Sequence, residues 1–481
     1  MIGKRTAFAA LTAIAASVPA HAAVTISTAV TQNMTCLDGV CAPTATEAVL
    51  NVGDLENLLA SSNVAVTTTG AGVESDNLVV SAGLSWSNSN SLTFDAHDSV
   101  SIFAPVSITG VAGLFVVTND GGKNGVFSIA SGGYVTFANL SSTLNINNES
   151  YTLENSIAAL AIAMAGNSQG RFALANSYDA SADGTYSSSP IANEFLGKFD
   201  GLGNTISNLS IDAVGTRVAA FIYAADSGSI EHLLLTQVSV ADTTKTFLGA
   251  VGGLTGGTGS QELLFQDFVS GTVVGGNKYY VGELAGSNEG RILESSASGA
   301  VVGGSKSYVG GLVGMNECSS KGTDIEESFA NAAATGGRRS NVGGLAGGNS
   351  CIIGNSYSTG AVAGGEFSNA GGLIGYNADT SGQSLVRFSY ENGSVKARVG
   401  GFRGGFVGED LTFGGIRASY WDTTTTGLKE GAGNVDESGM KGRTTTQFMS
   451  RLPLGFNTSI WGQDSGINNG FPYLLANPPP N

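Results

Sequence analysis

Few residues of this chain have the types and spacing that catalysis needs. Cleavage of a sugar chain would require two carboxylates about 5 to 10 Å apart, or a cluster of acids that holds Ca²⁺ beside a base. Four acids lie in neighbouring repeats, at Glu262, Asp267, Glu289 and Glu294. Because they occupy different positions of their repeats, we interpret them as solvated surface groups and expect no catalytic residue.

Patterns for metal and nucleotide binding are also missing. The histidines are His21, His97 and His232, and no HExxH pair is present to bind zinc. Glycine runs such as "GGLTGGTG" lack the GK[ST] ending of a phosphate loop, and "NDGGKNG", which is similar to a calcium-binding nonapeptide, occurs once without its repeat. We therefore expect no cofactor and no metal.

The amino terminus places the four cysteines in an oxidising compartment. Residues 1–22 have Lys4 and Arg5 ahead of an apolar run and end in Ala-His-Ala, which is typical of a secretory signal peptide. An even number of cysteines in an exported protein favours disulfides over metal sites. "CLDGVC" would close a small loop between Cys36 and Cys41.

Charge and hydropathy restrict the partners. The formal net charge is −16 and charged residues make up 12% of the chain, so we expect no nucleic acid or anionic lipid as partner. No segment after the signal peptide is apolar for long enough to span a membrane. We expect an exported monomer at the outer cell surface or in the extracellular medium, with the periplasm as the alternative.

A glycine-rich motif recurs along the second half of the chain and accounts for much of its 71 glycines. Copies such as VGGLVG share one apolar residue, and the intervals between copies are 33, 30, 28, 33, 28 and 33 residues. A period near 30 predicts stacked supersecondary units. The shared positions are Phe221, Leu254, Leu284, Leu312, Leu345, Leu373 and Phe406.

A second motif, of the type "SYSTGAV", lies between these copies. The distance from its column to the next leucine column is always 16 residues, whereas the other arc varies from 12 to 17. The column contains Val238, Phe268, Ser296, Phe329, Tyr357, Tyr390 and Tyr420. Neither arc has helical periodicity, and short β-rich pieces between glycines predict a parallel β-solenoid with one coil per repeat.

This register makes two further predictions. The leucine column becomes an internal apolar ladder, with the aromatic column as a second one, and the glycines occupy corners where φ is positive or neighbouring coils pack closely. Cys318 and Cys351 each follow a ladder leucine by six residues. Equivalent positions of adjacent coils lie about 5 Å apart, within disulfide range, so these two cysteines should be bridged.

The domain organisation follows from these patterns. "VGDLENLLASS" and "ENSIAALAIAMAG" are typical of helices, and strand-like runs fill 64–150 as earlier coils of the same solenoid. The predicted segments are a signal peptide (1–22), an N-terminal segment and cap (23–63), coils (64–150), a helical connection (151–194), glycine-rich coils (195–419), a C-terminal cap (420–475) and a disordered tail (476–481).

The motifs resemble those of GLUG-motif proteins and of filamentous-haemagglutinin-type bacterial exoproteins. The likeness depends on the GGLxG series, "NSYSTGAV", "GKFDGLGNTISNL", the ending "SYWDTTTTG" through "FPYLL", and "SLTFDAHDSVSI", which together span Leu78 to Leu474. The resemblance implies a right-handed parallel β-helix and an adhesin role at the cell surface.

We therefore expect a non-enzymatic, adhesin-like binding protein whose partners are glycans or proteins of a host, a matrix or a neighbouring cell. Release and surface attachment both remain open. The longest arcs, 313–328 and 374–389, are either a recognition surface or simply longer loops. The alternatives are a polysaccharide lyase or glycoside hydrolase on the same fold, and a structural matrix or surface-layer component.

Overall fold

Short strands wind the chain into stacked coils. The computed structural model describes residues 22–213, 218–243, 249–318, 324–378, 384–412, 414–435 and 437–480, so most of the predicted signal peptide lies outside the described residues. Their coils have the right-handed parallel β-helix fold and number about 12 turns in total, which confirms the predicted fold class. Helices are few and short: α1 (Val52–Leu59), α2 (Ile157–Gly166), α3 (Thr423–Thr426), α4 (Thr445–Ser450) and the 3₁₀ turns Ala180–Ala182 and Asn468–Gly470.

One sheet of 16 strands runs the length of the molecule, and we call it the shared sheet. In spatial order its strands are Met34–Leu37, Val40–Pro43, Val64–Thr67, Leu92–Asp95, Gly113–Val117, Thr143–Ile146, Glu149–Glu154, Arg171–Leu174, Lys198–Asp200, Ser229–Glu231, Leu263–Phe265, Arg291–Leu293, Asp324–Glu326, Ile352–Gly354, Leu385–Arg387 and Ile416–Arg417.

The first solenoid, residues 23–146, has an apolar core. Its strands alternate buried and partly exposed residues, as in Leu92–Asp95, where Leu92 and Phe94 are fully buried. Helix α1 covers the first coil with Leu55 and Leu59, as expected of a cap. The other strands are Ala23–Ser27, Ala48–Asn51, Asn77–Val80, Val100–Ile102 and Phe127–Ile129 in one sheet, Leu84–Trp86, Pro105–Ile108 and Tyr134–Phe137 in another, and the hairpin Thr69–Gly70 and Val73–Glu74.

The strand direction reverses in the middle of the shared sheet. Thr143–Ile146 pairs antiparallel with Glu149–Glu154, and the strands beyond are parallel to the latter. The buried face changes sides too, because Leu144 points into the first core whereas Phe172 points into the second. Reversing both the direction and the inner face preserves the hand of coiling. The expectation of a single continuous solenoid was therefore wrong: two solenoids lie on opposite faces of one sheet.

The second solenoid, residues 149–443, adds three more sheets. The broad sheet contains Tyr178–Asp179, Thr185–Tyr186, Thr205–Ser207, Ser210–Asp212, Leu234–Asp242, Phe268–Gly275, Ser296–Gly303, Phe329–Ala330, Ala333–Gly336, Tyr357–Ser358, Val362–Gly364, Tyr390–Glu391, Val395–Ala397, Ser419–Asp422 and Met440–Arg443. The short sheet contains Val218–Ala219, Gly249–Val251, Tyr279–Gly282, Tyr308–Gly310, Asn341–Gly343, Asn369–Gly371 and Arg403–Gly404. The Asn sheet contains Ile191–Phe195, Ile222–Ala225, Thr255–Thr258, Ala285–Asn288, Val313–Asn316, Ala346–Asn349, Ile374–Asn377 and Val407–Asp410.

The segment predicted as a helical connection belongs to this solenoid. Only its helix α2 is regular α-helix, and Arg171–Leu174 and Ile191–Phe195 are strands of the shared and Asn sheets. Phe172 and Phe195 contribute to the second core, with ring centroids 6.2 Å apart. Helix is therefore confined to α2 in this segment, and the residues on either side of it form strands of one coil.

Two internal polar ladders fix the register of the second solenoid. Buried asparagine side chains donate from one coil to the next at 2.8 Å, through Asn288, Asn316, Asn349 and Asn377. At another corner, serine hydroxyls accept backbone N–H bonds from the preceding coil, at Ser295, Ser328, Ser356, Ser389 and Ser419. Since a buried amide without a partner is costly, a coil shifted by one residue would be disfavoured.

The C-terminal segment folds back along the outside of the second solenoid. The aromatic residues of the second motif point outward, so the expectation of a second internal ladder was wrong. Phe329, Tyr357 and Tyr390 stack with centroids 4.9 and 5.0 Å apart, and Trp461 and Phe448 cover them. Trp461–Gly462 pairs with Tyr473–Leu474 in this segment. The predicted cap therefore covers the flank as well as the end.

Candidate functional site

All seven predicted ladder residues are fully buried in the second core. The strands that follow them pair in register, as Thr255 with Ala285 and Val313 with Ala346. The neighbouring glycines allow close approach of coils, because a Cβ on Gly311 would lie 2.1 Å from the Gly344 carbonyl oxygen. These residues form the scaffold of any binding surface.

The aromatic column needs one correction. Leu234, and not Val238, pairs with Phe268, because the register shifts between Leu235 and Val238. Gln237 adopts a positive φ of 54° at this point. A β-bulge therefore adds residues to the earlier coil, which a fixed spacing of 16 could not indicate.

Both predicted disulfides are present. Cys318 and Cys351 join adjacent coils with a Cα–Cα distance of 5.1 Å. Cys36 and Cys41 face each other in the hairpin at the edge of the shared sheet. The Cys318–Cys351 bond anchors the predicted recognition arc 313–328 at Cys318. Residues 319–323 of this arc, and residues 379–383 of the arc 374–389, lie outside the described residues.

The four acids that were considered for catalysis lie on separate columns. Glu294 occupies the column of Gln266, whose amide donates to it at 2.7 Å, whereas Asp267 occupies the column of Ser295, whose hydroxyl accepts the Asp267 N–H. The interpretation as solvated groups was wrong for Glu262 and Asp267, which are each 1% exposed. Burial raises the pKa of Glu262 to about 8 and that of Asp267 well above its usual range. The reason is that a side chain at a coil corner can turn toward the preceding coil, as Asp267 does where its Oδ1 accepts the Leu233 N–H at 3.0 Å.

A cavity of about 200 Å³ lies where the two solenoids and the C-terminal segment meet. Its wall includes Gly133 of the first solenoid, Gln266 and Glu294 of the second, and Asn477 of the last segment. Gln266 accepts the Ile129 N–H at 3.0 Å and donates to Glu294 at 2.7 Å. The predicted disordered tail is thus ordered up to residue 480, because Asn477 donates to the carbonyls of coil corners.

His232 is the buried polar group at this junction. Its Nδ1 lies 3.0 Å from Asp200 Oδ1, and its ring meets Phe127 and Phe265 edge-on. Burial would lower the pKa of His232, but Asp200 and Glu231 raise it above its usual value. Asp200, Glu231 and His232 are the single cluster of three potential metal ligands within the described ranges. The cluster lies at the contact between the two solenoids, where the His232 ring packs against Phe127 of the first.

Sequence reasoning missed a row of exposed cations on the opposite flank. Lys278, Lys306 and Arg339 occupy the same corner of three successive coils, each with φ near +60°. The Lys278 N–H bonds to Ser305, and the Lys306 N–H to Arg338, both at 2.9 Å. We call Lys278, Lys306, Arg338 and Arg339 the basic ridge. The signal was present in "GGNKYY", "GGSKSY" and "GGRRSN", but the repeats were aligned on their leucine column and these cations were not compared.

A second row of side chains runs beside the basic ridge, two residues further along each coil. Tyr280, Tyr308, Asn341 and Asn369 pair in order along the short sheet, and we call them the flanking row. All four are half-buried. Burial and then Glu317 raise the pKa of Tyr280 to about 12, so its hydroxyl is protonated at neutral pH. The row therefore presents aromatic rings, hydroxyls and amides.

No protein-family model and no curated protein match the chain. Among solved structures it is similar to a Bacteroides ovatus protein described provisionally as an immunoglobulin A1 protease. The TM-score is 0.42 at 17% identity, over 64% of this chain and 86% of that chain. A likeness of this size carries no argument about function.

Within the described residues, no helix has the length and apolar character needed to cross a membrane. The longest, α2, has 10 residues.

Proposed function

We propose that this protein is an exported, non-enzymatic β-solenoid that acts as an adhesin-like binding protein, related to the GLUG-motif exoproteins. The observation that carries the proposal is the pairing of the basic ridge with the flanking row. Both rows repeat on successive coils, and both are held by strands whose inner residues are fully buried. Binding residues commonly lie on such rigid scaffolds, where little entropy is lost on association.

The glycoside hydrolase and lyase alternatives lack an equivalent arrangement. Of the acids that line the junction cavity, Glu294 accepts a hydrogen bond from Gln266 and Asp267 accepts the Leu233 N–H, so both are bonded to neighbouring coils of the second solenoid. A structural matrix would instead require self-association through the ends or edges of the sheets. At one edge the shared sheet ends in the short Cys36–Cys41 hairpin, and a short edge strand disfavours pairing with a further chain.

The test uses the mature chain on a panel of immobilised glycans, matrix proteins and whole cells. We expect saturable binding to at least one surface without release of reducing ends or unsaturated sugars. Release of such products would instead establish the enzyme alternative. Absence of binding together with concentration-dependent polymers would establish the matrix alternative.

A further inference from the structure

The basic ridge is an unusual feature of an acidic protein. The chain has 22 Lys and Arg against 38 Asp and Glu, and seven of these cations lie on this flank. They are Lys278, Lys306, Arg338, Arg339, Lys396, Arg398 and Arg403, all exposed. Glu366 lies at the same corner of the next coil, and the Arg338 guanidinium is 3.9 Å from its carboxylate, so the row is predominantly cationic with one acid in it. An anionic ligand would supply further partners to the exposed cations of this row.

The geometry of the ridge is linear. Corner residues of successive coils are spaced by the strand separation, about 4.8 Å. The backbone bonds from Lys306 to Arg338 and from Arg339 to Glu366 hold the corners in a straight stack. Phe367 then lies under the guanidinium groups of Arg338 and Arg339, at 4.9 and 5.9 Å, and supports them. A chain molecule with regularly spaced anionic groups would match this row.

The flanking row selects among polyanions. Asn369 donates to Glu409 at 2.7 Å, and the Tyr280 hydroxyl lies 3.4 Å from Glu317, so carboxylates border the row on its far side. These acids can accept hydrogen bonds from the hydroxyl groups of a saccharide, which a DNA backbone does not offer. Tyr280 and Tyr308 offer ring surface for sugar faces, with their centroids 5.4 Å apart. Hydroxyls and rings on one side and cations on the other favour a saccharide.

We infer that the basic ridge and the flanking row together bind a linear anionic polysaccharide, with carboxylate or sulfate groups toward the ridge and sugar hydroxyls toward the row. The inference rests on the proposed binding function and names its ligand class. Charges elsewhere on the acidic surface oppose the ligand little at physiological salt, where the Debye length is about 8 Å.

The experiment measures binding of the mature protein to polygalacturonate and chondroitin sulfate, with dextran and a single-stranded DNA oligonucleotide as comparisons. The test variant is Lys306→Gln, Arg338→Gln, Arg339→Gln. A matched control, Lys123→Gln, Lys429→Gln, Lys441→Gln, removes three exposed cations elsewhere. We expect at least about a tenfold loss of affinity for the acidic polysaccharides in the test variant and less than about a twofold loss in the control.

Two further measurements refine the result: the salt dependence of binding and the affinity of a Tyr308 variant. The dependence of affinity on NaCl should become shallower in the ridge variant, because fewer charge contacts remain. Tyr308→Ala should weaken binding by about threefold to tenfold and leave the salt dependence unchanged. Both results would support the inference.

Three results would overturn it: unchanged affinity in the ridge variant, equal binding of dextran and polygalacturonate, or tighter binding of DNA than of either polysaccharide. If the protein binds other surfaces of the panel but neither acidic polysaccharide, the ligand class is wrong and the binding function stands. If it binds no surface at all, both proposals fail.

Discussion

The coils of the two solenoids are stacked through different types of residue. The first has a core of alternating Val, Ile, Leu and Phe, and its strands are stacked by apolar packing. The second places Asn and Ser ladders between apolar columns and uses glycine where backbones meet. Apolar packing tolerates small shifts, whereas a hydrogen-bonded ladder specifies each coil. The long array therefore has buried ladders that continue over successive coils, whereas the comparable bonds of the short array, such as Ser99 N–H to Asn77 and Val126 N–H to Ser99, lie nearer its surface.

The largest expected effect of a substitution comes from the disulfides of the two regions. Replacing both Cys318 and Cys351 by Ala should lower the free energy of unfolding by about 4 kcal/mol, and replacing both Cys36 and Cys41 by about 2 kcal/mol, because the closed loops differ in length. The sequence separations are 33 and 5 residues. Urea unfolding, with the regions that remain folded identified by proteolysis and peptide mapping, measures both losses of free energy. Equal losses would show that loop length is not what distinguishes the regions.

The asparagine ladder should be the next most sensitive feature. Asn349→Leu removes the hydrogen bonds of Asn349 with Asn316 and Asn377, and the two side-chain atoms that lose them each keep one longer bond, from Asn316 to the Ile352 carbonyl at 3.4 Å and to Asn377 from the Ser384 hydroxyl at 3.2 Å. We expect a loss of about 2 to 3 kcal/mol, against less than about 0.5 kcal/mol for the exposed control Asn331→Leu. Thermal unfolding by calorimetry gives the comparison. A loss below about 1 kcal/mol for Asn349→Leu would contradict a register-fixing role.

The pH dependence of the two solenoids should differ. Burial raises the pKa of Glu262 from 4.5 to about 8, and raises the pKa of Asp267, Glu283 and Glu391 well above their usual values. All four lie in the second solenoid. Since the folded-state pKa exceeds the unfolded value, the stability is complete below about pH 4.5 and is lost as the pH rises through the folded-state pKa.

Between pH 5 and pH 8 we therefore expect the second solenoid to lose several kcal/mol, about 3 to 4 kcal/mol of it from Glu262 alone, and the first to change less. Pulse proteolysis with peptide mapping at both pH values separates the two regions. The double variant Glu262→Gln, Glu283→Gln should flatten the profile of the second solenoid. A steeper profile in the first solenoid would show that burial of these acids does not govern the difference.

The smallest effect concerns the contact of the C-terminal segment with the second solenoid. Asn477 donates to the carbonyl oxygens of Ser295 and Glu327 at 3.2 and 3.4 Å. Asn477→Ala should cost about 1 kcal/mol and speed hydrogen exchange locally at these corners, with the first solenoid unaffected. Loss of protection in the first solenoid as well would mean that this segment clamps both regions together.

Much of the second solenoid was predictable from spacing alone. The leucine column and the Cys318–Cys351 pair follow from a repeat in which equivalent residues must stack. The basic ridge could have been found in the same alignment, two residues before the flanking row. The burial of Asp267 and Glu262 could not, because spacing does not show whether a side chain at a coil corner faces the core or solvent.

Sequence by itself therefore determined the coil, its period and its internal columns, because stacking repeats the same local contacts in every turn. Only the tertiary structure decided the reversal between Thr143–Ile146 and Glu149–Glu154, and the return of the C-terminal segment over Tyr357 and Tyr390. The physical reason is that alternation of apolar and polar residues reads the same for either strand direction. Contacts between non-repeating segments depend instead on which surfaces remain exposed once the coils have formed.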